Sequence, residues 1–507
     1  MRPTRRSFLQ ASAAAAASLA APTIAQPAPT KKRPNLLYVF ADQLRHQSCG
    51  YAGDGKAITP AIDRFATQGC NFSNAVASAP VCTAYRAGLM TGKYTTSNGM
   101  VINELRINPN QRCFGHVLTD SGYHTGYIGK WHLYANQLGH HEDPKNSFVP
   151  RGPHRLGFDG YWAAYNFHHI YYNTYYHTES PEKIFYGPGV YEPDAQTDFA
   201  INFIDGHQKQ SPEKPFALFL SWGPPHDPWG NDNTPAKFRK MFKDTPFPNP
   251  PNYQAENDPY ADNWGRLNSK ERAQLEEWRR NYYAMTSSLD ANLDRLLKAL
   301  EKHNLAEDTI VVFTSDHGEM FGAHGRRAKN IFYEEAARIP FLLRYPRQVP
   351  AGGTSDACLG TVDVMPTLLS MMGLQCPKSA EGMDLSHCAA GKAGPEPDAA
   401  LMMICGATAA WQDGHEWRAM RDKRFTYAVY RVDRSELLFD NVNDPYQQRN
   451  LAGDPKHAAT VERFRGMLKQ KMAGLGDAFE ACTWYRDHWT DGNRNITRSA
   501  TADFARA

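Results

Sequence analysis

Cys82 and Arg86 stand four residues apart in SAPVCTAYRAGLMTGKY, residues 78–94. A helix is expected to begin one residue after the cysteine, and at that spacing the two side chains share a helix face. A thiol, or a group derived from it, at a helix N-terminus meets backbone N–H donors and the positive end of the helix dipole, a setting for chemistry on an anion. The plain alternative for a lone cysteine is a small buried hydrophobe. Asp42 and Gln43 follow the run LLYVFA, Lys130 and His132 follow YIG, His226 follows LFLSWGPP, and Asp316 and His317 follow VVFTS. Two carboxylates, an amide oxygen and an imidazole make a donor set for a divalent cation, Ca²⁺ or, given the imidazole, Mn²⁺. In an extended chain Lys130 and His132 point to one side with Trp131 turned away. Side by side, they suit binding of an anion and proton transfer at it.

These groups need elements that bring them together. NLLYVFADQ at 35–43, HTGYIGKWHL at 124–133, PFALFLSWGPPHDP at 215–228, TIVVFTSDHGE at 309–319 and IPFLLRYP at 339–346 are short apolar runs bounded by turn residues. Such runs fit strands buried on both faces. Helical patterns lie between them; in 269–303 the residues Leu289, Leu293, Leu296, Leu297 and Leu300 form one apolar stripe. The alternation predicts an α/β fold with a large, mostly parallel sheet flanked by helices. Ligands bind outside the carboxyl ends of such strands, where the polar residues above sit, so distant segments can converge on one crevice. From about residue 370 the pattern changes: 417–445 reads as short antiparallel strands and 456–475 as a helix. The expected division is a catalytic domain at 34–370 and a smaller α+β C-terminal domain with tail at 371–507, joined through a Pro/Gly/Ala-rich connection at 376–399.

The chain has 507 residues, 41% hydrophobic and 21% charged, an ordinary globular composition. Its net charge of +3 comes from Arg2, Arg5 and Arg6 at the N-terminus. The remainder carries no net charge, which argues against nucleic acid as a partner. Residues 1–25 pair the twin arginine Arg5-Arg6 with an alanine-rich, weakly apolar run, the pattern of a twin-arginine export signal. This predicts cytoplasmic folding, passage through the twin-arginine export machinery, and a periplasmic or secreted product without a stable membrane anchor. Of nine cysteines, the eight other than Cys82 are candidates for disulfides after export, and no CxxC suggests a structural zinc site.

Cys82-Thr83-Ala84-Tyr85-Arg86 with Gly88, Thr91 and Gly92 resembles the signature of the type I, formylglycine-dependent sulfatases of the alkaline phosphatase superfamily. ADQLR at 41–45, GYIGKWHL at 126–133, SWGPPHDPW at 221–229, SDHGE at 315–319 and Lys329 follow in that family's order, and ELLFDNVNDPYQQRNLA at 436–452 resembles its C-terminal subdomain. The resemblance implies hydrolysis of a sulfate monoester, with Cys82 oxidised to formylglycine by a maturation enzyme. One hydroxyl of the aldehyde hydrate attacks sulfur; loss of a proton from the other expels sulfate. It further implies that Asp42, Gln43, Asp316 and His317 bind the cation with residue 82, and that Arg86 steadies the hydrate. Lys130 and Lys329 would hold sulfate oxygens, His132 would take the hydrate's proton and His226 would protonate the leaving oxygen.

Ala84 stands where the signature usually has proline, and Gln43 and His317 where many members have aspartate and asparagine. Those two ligands resemble the phosphonate monoester hydrolase branch, so a phosphonate monoester or phosphodiester is the second reading. A silent binding protein that keeps Cys82 as a thiol is the third. GYWAAYNFHHIYYNTYYHTES at 160–180 is dense in Tyr and His. Those rings either stack on sugars at the pocket mouth, favouring a sulfated glycan over a small aryl sulfate, or pack around a long loop.

Overall fold

The computed structural model describes residues 33–134, 139–492 and 494–498. The twin-arginine segment lies outside the described residues. From residue 34 onward the described chain packs as one unit. Its frame is an eight-stranded sheet in the order Gly353–Ser355, Cys70–Phe72, Phe341–Arg344, Thr309–Ser315, Asn35–Asp42, Phe216–Pro225, His124–Lys130, Tyr161–Tyr165. The central pairs run parallel, with Leu37 opposite Leu218 and Val311. Phe341–Arg344 is antiparallel to both its neighbours. The chain between Ser315 and Phe341 holds a loop and one short helix, Glu334–Ala337. It therefore lacks the long crossover a parallel return requires.

The apolar runs are strands because both their faces are covered. Leu36, Tyr38 and Phe40 enter one core and Leu37, Val39 and Ala41 the other. The first core takes in Leu89 of the helix Cys82–Thr91 and Leu368 of Thr361–Met371. The second takes in Phe203 of Glu192–Gln210 and Leu289, Leu293, Leu296, Leu297 and Leu300 of Ser269–Lys302, the stripe expected from spacing. That long helix opens on a capping box: Asn268 Oδ1 accepts from Glu271 N at 3.0 Å and Glu271 Oε2 from Asn268 N at 2.8 Å.

The C-terminal region forms an antiparallel sheet in the order Ala400–Ile404, Trp417–Arg421, Phe425–Tyr430, Glu436–Asp440. One face, with Leu401, Met403, Tyr427 and Leu438, is covered by Phe464 and Leu468 of the helix Ala458–Leu475. The other, with Met402, Trp417 and Phe439, packs on Met320, Phe332 and Tyr333. The second sheet thus supports the 320–333 segment, which carries Lys329. No helix among the described residues is long and apolar enough to cross a membrane.

Gly129 lies one residue before the end of its strand with φ +94°, and a Cβ there would lie 2.0 Å from the Ser221 carbonyl oxygen. Gly129→Ala should cost about 2–4 kcal/mol through left-handed strain and overpacking. A lowered apparent melting temperature checks this; an unchanged one would show that the backbone relaxes at this bend.

Candidate active site

The polar residues at the strand ends converge. Asp42 closes its strand at a register shift, and Gln43 then turns with φ +68°. Asp316 follows Thr309–Ser315 and accepts from Gln43 N at 3.0 Å. Cys82 is the first residue of its helix, rather than the residue before it, because Tyr85 N already bonds Val81 O at 2.9 Å. Every residue of that helix is buried, and its N-terminus faces the strand ends. Cys82 Sγ lies 3.2 Å from His317 Nε2 and 3.7 Å from Asp42 Oδ1.

Buried cations hold these acids. Lys130 Nζ lies 2.5 Å from Asp42 Oδ2. Arg86 Nη2 bridges Asp42 Oδ2 at 3.2 Å and Asp316 Oδ2 at 3.1 Å, while its Nη1 donates to Lys130 O and Ser221 Oγ. Arg86 thus ties its helix to the ends of the sheet strands. Burial alone would raise the Asp42 carboxyl, but Lys130, Arg86, His317 and Lys329 together hold it well below the ordinary carboxylate range. Burial and Asp42 push the Cys82 thiol up; Lys130, Lys329 and His317 outweigh them and leave it below the usual value.

Lys329 Nζ donates to His226 Nε2 at 2.6 Å and to Gln43 Oε1 at 2.9 Å. His226 Nδ1 faces Asp227 O at 2.9 Å, which puts its proton on Nδ1 and leaves Nε2 as acceptor. Burial, then Lys329 and Lys130, hold His226 well below the ordinary imidazole value, so it is neutral near pH 7. The strand ends at Lys130 and His132 has φ +54°, so the extended chain expected through 132 is replaced by a left-handed turn. Trp131 goes into the apolar core, and neither ring nitrogen of His132 has a hydrogen-bond partner among the described residues. Burial, Lys130 and Arg86 hold His132 well below its usual pKa.

A cavity of about 430 Å³ opens onto Cys82, Glu104, Phe167, His169, Trp264 and Lys329. Half of this lining was not singled out from sequence. His169 stacks on His226 with ring centroids 3.7 Å apart, and Trp264 is 44% exposed, offering a ring face. Within 160–180, Tyr165, Tyr171 and Tyr175 are buried in packing, whereas Phe167, His168, His169 and Ile170 line the cavity. Glu104 has φ +69°, and its Oε1 lies 3.9 Å from His132 Nε2. It sits in MVINELR, whose spacing carries no chemical signature. All nine cysteines are free, so none of the candidate disulfides forms in this structure.

The sulfatase family model matches residues 34–374, and a model described as N-sulphoglucosamine sulphohydrolase, C-terminal, matches residues 322–474. The chain belongs to the sulfatase family. It is 36% identical to the ulvan-active sulfatase of Formosa agariphila over 91% of this chain and 84% of that protein. It is 27% identical to the N-acetylglucosamine-6-O-sulfatase of Bacteroides thetaiotaomicron over 92% and 89%. The solved structure of the sulfatase-like yidJ protein of Bacteroides fragilis superposes with a TM-score of 0.77 at 30% identity, covering 91% of this chain and 99% of that one. The expected α/β architecture with its antiparallel C-terminal sheet is therefore the sulfatase fold.

In this sulfatase burial lifts the Glu104 carboxyl to about 7, against the lowering effects of Arg494 and Lys130. Its folded value exceeds the unfolded one of 4.5, so the stability it contributes is full below pH 4.5 and lost as pH rises through 7. Glu104→Gln stays neutral throughout. It should stabilise the protein at pH 8, by up to about 3 kcal/mol, and change little at pH 5. Melting temperatures at both pH values check this; equal effects at both would mean that Glu104 does not titrate in this range.

Proposed function

We propose that the enzyme hydrolyses a sulfate monoester of a glycan, using Cys82 converted to formylglycine and one divalent cation, Ca²⁺ before Mn²⁺. The observation that carries this reading is the meeting of Asp42, Cys82, Asp316 and His317, whose donor atoms lie within 4.8 Å of one another, with Lys130 against Asp42 and with Cys82, His226 and Lys329 on one cavity. The donor set fits a cation. His317 Nε2 is 3.6 Å from Asp42 Oδ1 and 3.5 Å from Asp316 Oδ1. Ligands at right angles around Ca²⁺, each about 2.4 Å from it, stand about 3.4 Å apart. His317 Nδ1 faces Gly318 O at 3.0 Å, which turns the bare Nε2 toward the other donors. Gln43 would add its amide oxygen.

When bound, the cation would polarise the sulfate oxygens and the nucleophile. Formylglycine, as its hydrate, would supply one hydroxyl to attack sulfur and a second to expel sulfate. The chain's own groups do the rest. Lys130 and Lys329, both buried, hold sulfate oxygens where fixed charge acts strongly. Arg86 holds Asp42 and Asp316 in place and orients residue 82. His226 Nε2 takes up the proton that Lys329 Nζ directs at it and passes it to the leaving oxygen, and the sulfate's negative charge offsets the burial and the two lysines that keep this imidazole neutral in the free enzyme. His132, with both nitrogens unpartnered, takes the proton from residue 82, and Glu104 faces the charge that results.

Sugar recognition rests on the exposed face of Trp264 with Phe167, and on relatives named for ulvan and N-acetylglucosamine sulfate. Residues 34–370 would form the catalytic domain and 371–507 the supporting one. The twin-arginine segment would direct export to the periplasm after maturation of Cys82 in the cytoplasm. The relatives named as sulfatases favour the sulfate ester over the phosphonate reading that Gln43 and His317 suggest, and the intact donor set speaks against the silent binding protein.

Matched sulfate monoester and phosphodiester substrates test the reaction class: a large preference for the phosphodiester overturns it. Cys82→Ala should lose at least 10⁴-fold in turnover while the melting temperature stays near the wild-type value. Intact mass should show residue 82 about 18 Da lighter than cysteine in protein from a maturing host. A thiol there in an active enzyme would remove formylglycine from the mechanism. His226→Ala should slow esters of poor leaving groups about 10²–10⁴-fold and good ones far less; equal losses would take the proton donor role from His226.

A further inference from the structure

Glu319 is fully buried, sits two residues after His317 and was not singled out from sequence. Its Oε1 accepts from the backbone N–H of Phe321 at 3.0 Å and of Ala328 at 2.8 Å. Its Oε2 accepts from Gln43 Nε2 at 2.7 Å. The other end of that amide, Oε1, accepts from Lys329 Nζ at 2.9 Å. An acceptor on one side and an ammonium on the other admit one orientation of the Gln43 amide. The oxygen therefore faces Lys329, while the backbone N–H of the same residue bonds Asp316 Oδ1 at 3.0 Å. An aspartate at 43 would present no N–H and need no such partner; glutamine does, or a buried donor is left unsatisfied.

We propose that Glu319 is a positioning residue that fixes the Gln43 amide with its oxygen toward the cation site, so that position 43 serves as a ligand only while an acceptor stands at 319. The inference rests on the metal reading above. It also explains why one carboxylate touches three segments of the site. Glu319 follows the strand that delivers Asp316, bonds the side chain that follows Asp42, and holds Ala328, the neighbour of Lys329. Ala328 and Asn330 have φ of +60° and +70°, so the lysine rides on a strained turn that needs such a restraint.

The exchange of Gln43→Glu with Glu319→Gln isolates this role. Glu319→Gln alone keeps an amide oxygen for Phe321 N and Ala328 N but sets its NH₂ against that of Gln43. Gln43 must then flip, turning its NH₂ toward Lys329 and the cation. Gln43→Glu alone sets two carboxylates against each other. The double variant reverses the hydrogen bond: the amide introduced at position 319 donates to the carboxylate introduced at position 43, whose other oxygen stays free for Lys329 and the cation. The expected result, by calorimetric titration of metal-stripped full-length protein with Ca²⁺ or Mn²⁺, is a loss of tenfold or more in cation affinity for each single variant. The double variant should recover to within about threefold of wild type.

Single variants that bind as wild type does, or a double variant no better than the worse single, would overturn the proposal while leaving the metal reading intact. A wild-type protein that binds neither ion would overturn both. Where Glu319→Gln does not fold, Gln43→Glu against the double variant decides alone, since a purely structural role for Glu319 predicts no rescue.

Discussion

The structure depends on keeping the Asp42 carboxylate ionised where no water reaches it. Removing such a charge from water costs several kcal/mol, and only close opposite charge with good hydrogen bonds offsets that. Lys130 and Arg86 supply the opposite charge from two different elements, a strand end and a helix, and Arg86 also holds Asp316. Each buried charge is tolerable only in the presence of the others. The strand ends and the Cys82 helix must therefore arrive together, and the place where they meet concentrates fixed charge. A group that ionises or carries a developing charge there is stabilised without rearrangement of solvent, which is what cleavage of an anionic ester requires.

The surroundings of this cluster convert sheet geometry into side-chain geometry. The parallel strands bring Asp42, Lys130 and Asp316 to one edge, but strands alone do not aim them. Left-handed residues do: Gln43, His132, Ala328 and Asn330 all depart from ordinary backbone at the site. Such conformations cost about 1–3 kcal/mol each and persist only where the surroundings overdetermine them. The C-terminal sheet supplies much of that determination by packing Met402, Trp417 and Phe439 on the segment that carries Lys329. Its distance from the chemistry along the chain is no measure of its influence on it.

Two histidines occupy opposite situations within this positive field. His226 has both nitrogens committed, one to a carbonyl and one to Lys329, and so enters any reaction in a defined tautomer. His132 has neither committed and faces Glu104 across 3.9 Å. One ring is held in a single tautomer, the other has both nitrogens open among the described residues. Burial and then the neighbouring cations hold both rings well below the ordinary imidazole value.

Much of this was legible in the linear chain because it follows from local rules. Apolar runs bounded by turn residues fit strands covered on both faces, the leucines of 289–300 fit a helix stripe, and acids and imidazoles at run ends fall on the ligand-binding edge of a parallel sheet. Glu104 and Trp264 were not legible, nor were the individual parts of His169 and Glu319 within the segments that contain them. They lie in loops or turns without periodicity, and their meaning comes from what stands opposite them in space. The antiparallel direction of Phe341–Arg344 and the left-handed turn at His132 were likewise decided by packing. The sequence by itself determined which groups reach the site, since strand ends and a helix start are local properties. Tertiary structure alone decided how each is oriented and charged, since both depend on burial and on partners hundreds of residues away.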